Sequence, residues 1–378
     1  MEKVAVVNRT LFKNYGSVLQ CFALSKAVEK FGYSCDIIWS KGSLSKNFDL
    51  RYEKIFSIFM NLLKNPSLIK VIIGNLKSLK NEVPSKETTE KFDYFVEKNI
   101  NHILYSKKEL KTLVQNNYYY KYICGSDQIW NPTSLYLDPL LFLRFSPKNK
   151  RIAYAPSLGC DIIPNYNKSK LKKYILGIPN VSIRETQGQK LLEELCGVKF
   201  PVVSDPTFLF DMDFWKGYAA PCESEGYLLY YFLNEPSEEI QGKLIDLCKK
   251  TQKKAVIINS PLKYLSKSNI PAVYPNCGPS EFLGLVKNAD YIITDSYHGM
   301  LFSIIFEKNF LSVPRNYKEH DQSSRQKSVL DYLGLEERYT IDICKDKLTP
   351  IEYGLVNVKV EQFRQYSYDF LNKALNAK

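Results

Sequence analysis

Apolar residues along this chain fall into short runs that alternate with longer helical patterns. Residues 4–7 (Val-Ala-Val-Val) form one such run, followed by a polar loop to Gly16. Apolar positions 18, 22, 24, 28 and 31 then recur at close to helical spacing. This predicts a helix over 17–31, ended by Gly32, and a second strand over 35–39. Further strands are predicted at 119–124, 151–155, 181–183 and 202–203, with a helix over 187–196. A second block repeats the alternation. Its strands are predicted at 227–232, 255–259, 291–294 and 310–313, and its helices at 237–250, 281–287 and 327–333. Strands alternating with helices imply parallel sheets, and two such sheets in one chain enclose a cleft.

The pattern divides the chain. Residues 1–222 read as a first domain, and the polar stretch near 222–226 as its boundary. Residues 223–358 read as a second domain, and 359–378 as a final helix crossing back to the first. Residues 41–118 look like a helical insertion in the first domain. Within it, 55–80 is apolar, carries Lys64, Lys70, Lys77 and Lys80 with no acid, and is split into two helices by Pro66. A cationic amphipathic pair of this kind lies on a membrane surface or packs as a subdomain on the body. There is no internal repeat or low-complexity segment.

Composition narrows the class. The 378 residues are 45% hydrophobic, enough for two cores. No run reaches the eighteen apolar residues of a membrane span, and the opening Met1-Glu-Lys leads into a strand, unlike a signal peptide. The nine cysteines include no Cys-x-x-Cys, which fits reduced, buried thiols in a cytoplasmic protein. The net charge of +12 calls for an anionic partner or serves solubility. No nucleic-acid motif, Gly-x-Gly-x-x-Gly or Walker loop appears, and no metal-ligand cluster of the usual spacing, so neither nucleic acid nor a metal is expected.

The candidate chemistry sits where strands end. In Tyr291-Ile-Ile-Thr-Asp-Ser-Tyr-His298-Gly299-Met300, a strand gives way to a polar turn and a buried helix. Ligands of open α/β sheets bind at the carboxyl ends of strands, and a helix N-terminus there favours an anion. His298, one of three histidines, would face that site; a hydrogen-bonded structural histidine fits the same stretch. Asn14-Tyr15-Gly16-Ser17 follows the first strand and also fits an ordinary capped turn. Asp127, Gln128 and Trp130 follow strand 119–124. A carboxylate, an amide and an indole suit sugar recognition or proton transfer, though Asp127 also fits a helix cap. Arg184 stands at a strand-to-helix turn, where a guanidinium holds a carboxylate or phosphate by paired bonds, or else a neighbouring acid. Arg325 follows a polar loop and fits the surface better than the cleft.

In this order, Asn14-Tyr-Gly-Ser-Val-Leu-Gln20, Gly125-Ser-Asp-Gln-Ile-Trp130, Ser182-Ile-Arg-Glu185, Asp205-Pro-Thr207, Asp295-Ser-Tyr-His-Gly299 and Ser324-Arg325 resemble the polysaccharide pyruvyl transferase family. The resemblance implies an α/β fold of two Rossmann-like domains, glycosyltransferase-B-like. It implies transfer of a pyruvyl group from phosphoenolpyruvate to two hydroxyls of a sugar, in a polysaccharide or its lipid-linked precursor, to give a cyclic ketal. The donor is a substrate, and no cofactor is implied. The family's second-domain histidine maps to His298 and its strand-end arginine to Arg184, both associated with phosphoenolpyruvate. In a better-described branch an arginine stands two residues before the histidine; here that position is Ser296. Either Arg325 or a nearby lysine takes its part, or the donor differs. Asp127 is expected to orient or deprotonate the acceptor, Trp130 to stack on a sugar, and Asn14, Tyr15, Gly16, Gln128 and Ser296 to line the site. Lipid-linked acceptors would bring the chain to the inner face of the cytoplasmic membrane through 55–80. A glycosyltransferase using a nucleotide sugar, and a non-catalytic scaffold of a polysaccharide-synthesis complex, are the alternatives.

Overall fold

The computed structural model describes residues 1–8, 13–39, 51–64, 66, 68–69, 85–222, 225–315 and 322–377. The first domain runs β1 (Lys3–Asn8), α1 (Tyr15–Lys30), β2 (Ser34–Trp39), α2 (Arg51–Lys64), α3 (Lys86–Asn99), β3 (His102–Ile103), α4 (Lys107–Gln115) and β4 (Lys121–Cys124). It continues through β5 (Arg151–Ala153), α5 (Asn165–Ile175), β6 (Asn180–Val181), α6 (Thr186–Cys196) and the short α7 (Met212–Lys216). Its six strands are all parallel, in the order β3-β2-β1-β4-β5-β6. That is the doubly wound order whose reversal, between β1 and β4, opens a crevice at the strand ends.

The second domain runs β7 (Tyr227–Phe232), α8 (Glu238–Thr251), β8 (Lys254–Asn259), β9 (Ala272–Val273), α9 (Pro279–Asn288), β10 (Tyr291–Thr294), α10 (Tyr297–Ile305), β11 (Asn309–Ser312) and α11 (Ser324–Leu333). Its five strands are also all parallel, ordered β11-β10-β7-β8-β9. The long α12 (Tyr353–Asn376) returns to the first domain. There the Ser204 amide donates to Ser367 Oγ at 2.8 Å, and the Tyr368 hydroxyl to the Leu209 carbonyl at 2.7 Å. The fold is thus two Rossmann-like α/β domains.

Central strands of these sheets are buried on both faces, which is why they read as continuous apolar runs. Val4 and Val6 of β1 face one core, Ala5 and Val7 another. Tyr227, Leu229 and Tyr231 of β7 share the core of Val4 and Val6, while Leu228, Tyr230 and Phe232 face a third. One core is therefore common to both domains. It holds Tyr15, whose ring stacks on Phe282 at 4.7 Å and whose hydroxyl donates to the Cys277 carbonyl at 3.2 Å. Burying such rings stabilises the domain contact by about 1.5–3 kcal/mol each.

Three expectations need correction. Residues 85–118 are not an insertion, because β3 is the edge strand of the first sheet and α3 and α4 flank it. A two-residue strand carries no periodic signal. Helix α3 also crosses to the second domain, where Lys91 Nζ donates to the Asn276 carbonyl at 2.8 Å. Residues 202–203 form no strand, only a single bridge between Ile183 and Val202. The final helix starts at Tyr353, six residues before 359. Of the helix pair expected over 55–80, α2 is present; the rest, with Lys70, Lys77 and Lys80, lies almost wholly outside the described residues. Among the described residues, no helix is long and apolar enough to cross a membrane.

Candidate active site

The strand ends of the two sheets meet at one charged cluster. Strand β4 runs into Ser126 and Asp127. Asp127 has a left-handed backbone, φ +74°, rare for a residue with a side chain and frequent at functional sites. Its carbonyl is held by the amides of Ile129 at 2.7 Å and Ser157 at 2.8 Å. The chain beyond β6 supplies Arg184 and Glu185, and the turn after Val203 supplies Asp205. From the second domain, β10 ends in Asp295-Ser296, and α10 begins with Tyr297 and His298.

Asp205 is the centre of this cluster. Its Oδ1 caps the following turn, accepting from the Thr207 amide at 3.0 Å and hydroxyl at 2.8 Å. Its Oδ2 accepts from Arg184 Nη1 at 2.7 Å and Ser126 Oγ at 3.1 Å, and lies 3.5 Å from His298 Nε2. Burial alone would raise the Asp205 carboxyl, but His298 and Arg184 beside it outweigh that and hold it well below the usual range. Asp127 follows the same logic. Burial pushes up, Arg184, His298 and Arg325 pull down more strongly, and the carboxyl is lowered. Asp127 Oδ1 is 3.5 Å from Arg184 Nη2, and Oδ2 accepts from Ser17 Oγ at 3.4 Å.

Arg184 is fully enclosed, with its guanidinium 4.4 Å from the Tyr297 ring centre. Arg325 lies over the same ring at 5.7 Å and is 6% exposed, so it belongs to the cluster and not to the surface. Its Nη2 donates to Gln322 Oε1 at 3.3 Å; the same oxygen accepts from Gln128 Nε2 at 2.7 Å, across the domains. Five buried polar atoms here make no close hydrogen bond: Arg184 Nε, Glu185 Oε2 and Tyr297 Oη, and also Arg184 Nη2 and His298 Nε2, which reach a carboxylate oxygen only at 3.5 Å. Buried polar atoms are almost always satisfied, so this group of orphans at strand ends is the candidate place for a polar ligand.

His298 is wedged between the domains. A Cβ added to Gly16 would sit 2.0 Å from His298 Nδ1, so only glycine lets α1 approach this ring. Asn14 Oδ1 caps α1, accepting from the Ser17 amide at 3.0 Å. Two helix N-termini, of α1 and α10, therefore converge on the imidazole.

Not every expected site residue joins in. Trp130 is fully buried, stacked on Phe142 at 5.3 Å with its indole N–H on the Leu141 carbonyl at 3.1 Å, so it offers no face to a sugar. Tyr15 is part of the shared core, and its hydroxyl is spent on Cys277. Ser296 is 1% exposed and caps α10, accepting from the Gly299 amide at 3.2 Å; its hydroxyl is a cap and not a free ligand group. Asp205, Ser126, Tyr297 and Glu185 had no assigned role from sequence. The Asp205-Pro-Thr pattern signals the turn cap on Oδ1, and nothing local signals what Oδ2 holds. Arg315 was also missed. It donates Nε to Asp295 Oδ2 at 3.1 Å and Nη2 to the Asp295 carbonyl at 3.1 Å, next to Ser296. Among the described residues, no three of His, Cys, Asp or Glu are grouped to hold a metal ion.

Two parallel-sheet domains with their strand ends facing one cluster, and a final helix returning to the first domain, define a protein of the glycosyltransferase-B type. Within that class, the chain belongs to the polysaccharide pyruvyl transferase family, whose model matches residues 14–317. Among solved structures it is similar to UDP-GlcNAc 2-epimerase from Neisseria meningitidis bound to UDP-GlcNAc, at 11% identity and TM-score 0.47, over 100% of this chain and 94% of that one. It is similar to Acinetobacter baumannii MurG, at 9% identity and TM-score 0.45, over 99% and 94%. It is also similar to the E. coli heptosyltransferase WaaC with ADP-2-deoxy-2-fluoro heptose, at 10% identity and TM-score 0.39, over 85% and 95%. Likeness at this level carries nothing about substrate. No curated protein matches the chain by sequence.

Proposed function

We propose that this transferase moves the pyruvyl group of phosphoenolpyruvate onto two hydroxyls of a polysaccharide sugar, or of its lipid-linked precursor, forming a cyclic ketal. The observation that carries the reading is the cluster of buried, unsatisfied polar atoms on Arg184, Tyr297 and His298, beside two converging helix N-termini. A donor bearing a carboxylate and a phosphate suits such a place. Arg325 supplies the cationic character that Ser296 does not.

In the reaction, one sugar hydroxyl oxygen bonds to C2 of the donor and gives up its proton, while a proton is delivered to the methylene carbon, making it a methyl. The second hydroxyl then bonds to C2, phosphate leaves with the electron pair of the C2–O bond, and the second hydroxyl proton is released. No electrons are gained or lost. His298 is the group for proton transfer by residue type and position. Asp127, with its lowered carboxyl, is a weak base and a good acceptor, so it orients the attacking hydroxyl. Arg184 holds the donor's carboxylate or phosphate, and the pair of helix ends stabilises the leaving phosphate by about 0.3–2 kcal/mol each.

Calorimetric titration with phosphoenolpyruvate against a nucleotide-sugar panel, together with phosphate release in the presence of glycan acceptors, tests this. Binding of phosphoenolpyruvate that Arg184→Lys weakens is expected, since an ammonium lacks the planar fork. Binding of a nucleotide sugar and not phosphoenolpyruvate overturns it.

A further inference from the structure

Helix α2 packs on the first domain by one side and turns its apolar side outward. On the inner side, Asn61 Nδ2 donates to the Leu135 carbonyl at 3.2 Å, Glu53 pairs with Lys107 at 2.7 Å, and Ser57, Ile58 and Leu62 are half-buried. On the outer side, Tyr52, Ile55, Phe56, Phe59, Met60 and Leu63 recur at spacings of three and four, which places them in one stripe. Their exposures run from 37% for Met60 to 82% for Tyr52. A helix of a soluble domain ordinarily turns such a stripe to the core, and a contiguous exposed one marks a docking surface.

The charge that follows the start of the stripe in sequence has one sign. From Lys54 to Lys80 the sequence holds five lysines, at 54, 64, 70, 77 and 80, and no acid. The side chains of the last four lie outside what is described and enter only as charge in the sequence. The acid just before, Glu53, is paired with Lys107. A second copy of this chain would carry the same excess of positive charge along this stretch, and like charges repel. An anionic lipid surface attracts all of them.

We propose that α2 seats this protein on an anionic membrane, with its apolar stripe among the acyl chains and the positive charge of the same stretch of sequence drawing it to the headgroups. The helix lies in the plane of the interface and does not span it. This does not depend on the pyruvyl-transfer reading.

Flotation of the full chain with vesicles of phosphatidylcholine, with and without phosphatidylglycerol, tests the assignment. Binding to the phosphatidylglycerol vesicles is expected, weakened by salt because exposed charges are screened. Phe56→Ser combined with Phe59→Ser should reduce partitioning about tenfold or more, with thermal midpoint unchanged because both side chains are exposed. Replacing the five lysines by glutamine should remove the preference for phosphatidylglycerol, at roughly fivefold per lysine close to the surface. No binding at low salt overturns the proposal, as does binding that the serine pair leaves intact. A dimer in sedimentation velocity that the serine pair dissociates also overturns it, because a second copy then covers the stripe. Titration with phosphoenolpyruvate in the absence of vesicles should be the same in the wild type and the serine pair, so failure of membrane docking and failure of the donor assignment are separately visible.

Discussion

On the first-domain side of the cluster, the strand ends carry Asp127, Arg184, Glu185 and Asp205, packed so that each charge faces an opposite one within 2.7–3.5 Å or a backbone amide. On the second-domain side, β10 ends in a capped turn, and every residue of α10 from Tyr297 to Ile305 is buried. That side presents His298 as its close contact with Asp205, held against Gly16. The first side is a pre-formed electrostatic frame whose members depend on one another. The second is an apolar wedge that delivers one imidazole. Damage to the frame should therefore appear first as lost stability, and damage to the wedge first as lost turnover.

The largest effect is expected at Asp205. Asp205→Ala leaves Arg184 buried without its nearest carboxylate, which costs about 3–5 kcal/mol when a buried pair is broken. Urea unfolding measures it, and a loss under 1 kcal/mol would mean that Asp127 alone holds the guanidinium. The pH dependence sharpens the same point. Asp205 and Asp127 both have lowered carboxyls, so their stabilising contribution is full above the unfolded value of about 3.9 and is lost as pH falls below it. The wild type should lose stability steeply below about pH 4, and Asp205→Asn should flatten that slope.

His298→Ala should invert the balance. Turnover should fall about a hundredfold, or about 2.7 kcal/mol of barrier, while the urea midpoint falls less than in Asp205→Ala. A fully active alanine variant would remove His298 from the chemistry. Gly16→Ala tests the wedge from the other domain. The new Cβ would overlap His298 Nδ1, so the ring or α1 must shift, at about 1–3 kcal/mol in stability, with loss of turnover. Wild-type turnover in Gly16→Ala would show that the placement of the imidazole is not critical. The smallest change belongs to Ser296→Ala, which removes the α10 cap and should cost about 1 kcal/mol. A much larger loss of phosphoenolpyruvate binding than of stability in that variant would mean that Ser296 contacts the donor directly.

Much of the frame was legible residue by residue. The strands at 227–232 and 291–294 fall where the apolar runs lie, and Gly32 closes α1 with φ +85°. The turns carrying Asp127, Arg184 and His298 do stand at strand ends, and the structure brings these three together. Trp130 illustrates the limit. Its neighbours Asp127 and Gln128 turn toward the second domain, while the ring, two positions further on, falls into the core beneath the loop. A polar sequence context gives no information about which way a side chain points after a turn with a left-handed residue. Arg325 shows the opposite error, since a charged residue after a polar loop reads as surface, and here it lies over Tyr297 in the interior.

The sequence by itself determined the alternation that gives two parallel sheets, the longer strands and the identity of the residues at their ends, though not the two-residue edge strands β3 and β9. The physical reason is that burial on both faces of a strand writes a short continuous apolar run along the chain, and burial on one face of a helix writes a spacing of 3.6. It also recorded the amphipathic stripe of α2, though not which side faces out. What only the tertiary structure decided is the pairing across the cleft. Gly16 against His298, Asp205 between Arg184 and His298, Gln128 with Gln322, and Tyr15 with a carbonyl 262 positions away are contacts between elements that no local period connects. They exist because the two sheets close on one shared core, and that closure turns separate strand-end turns into a single site.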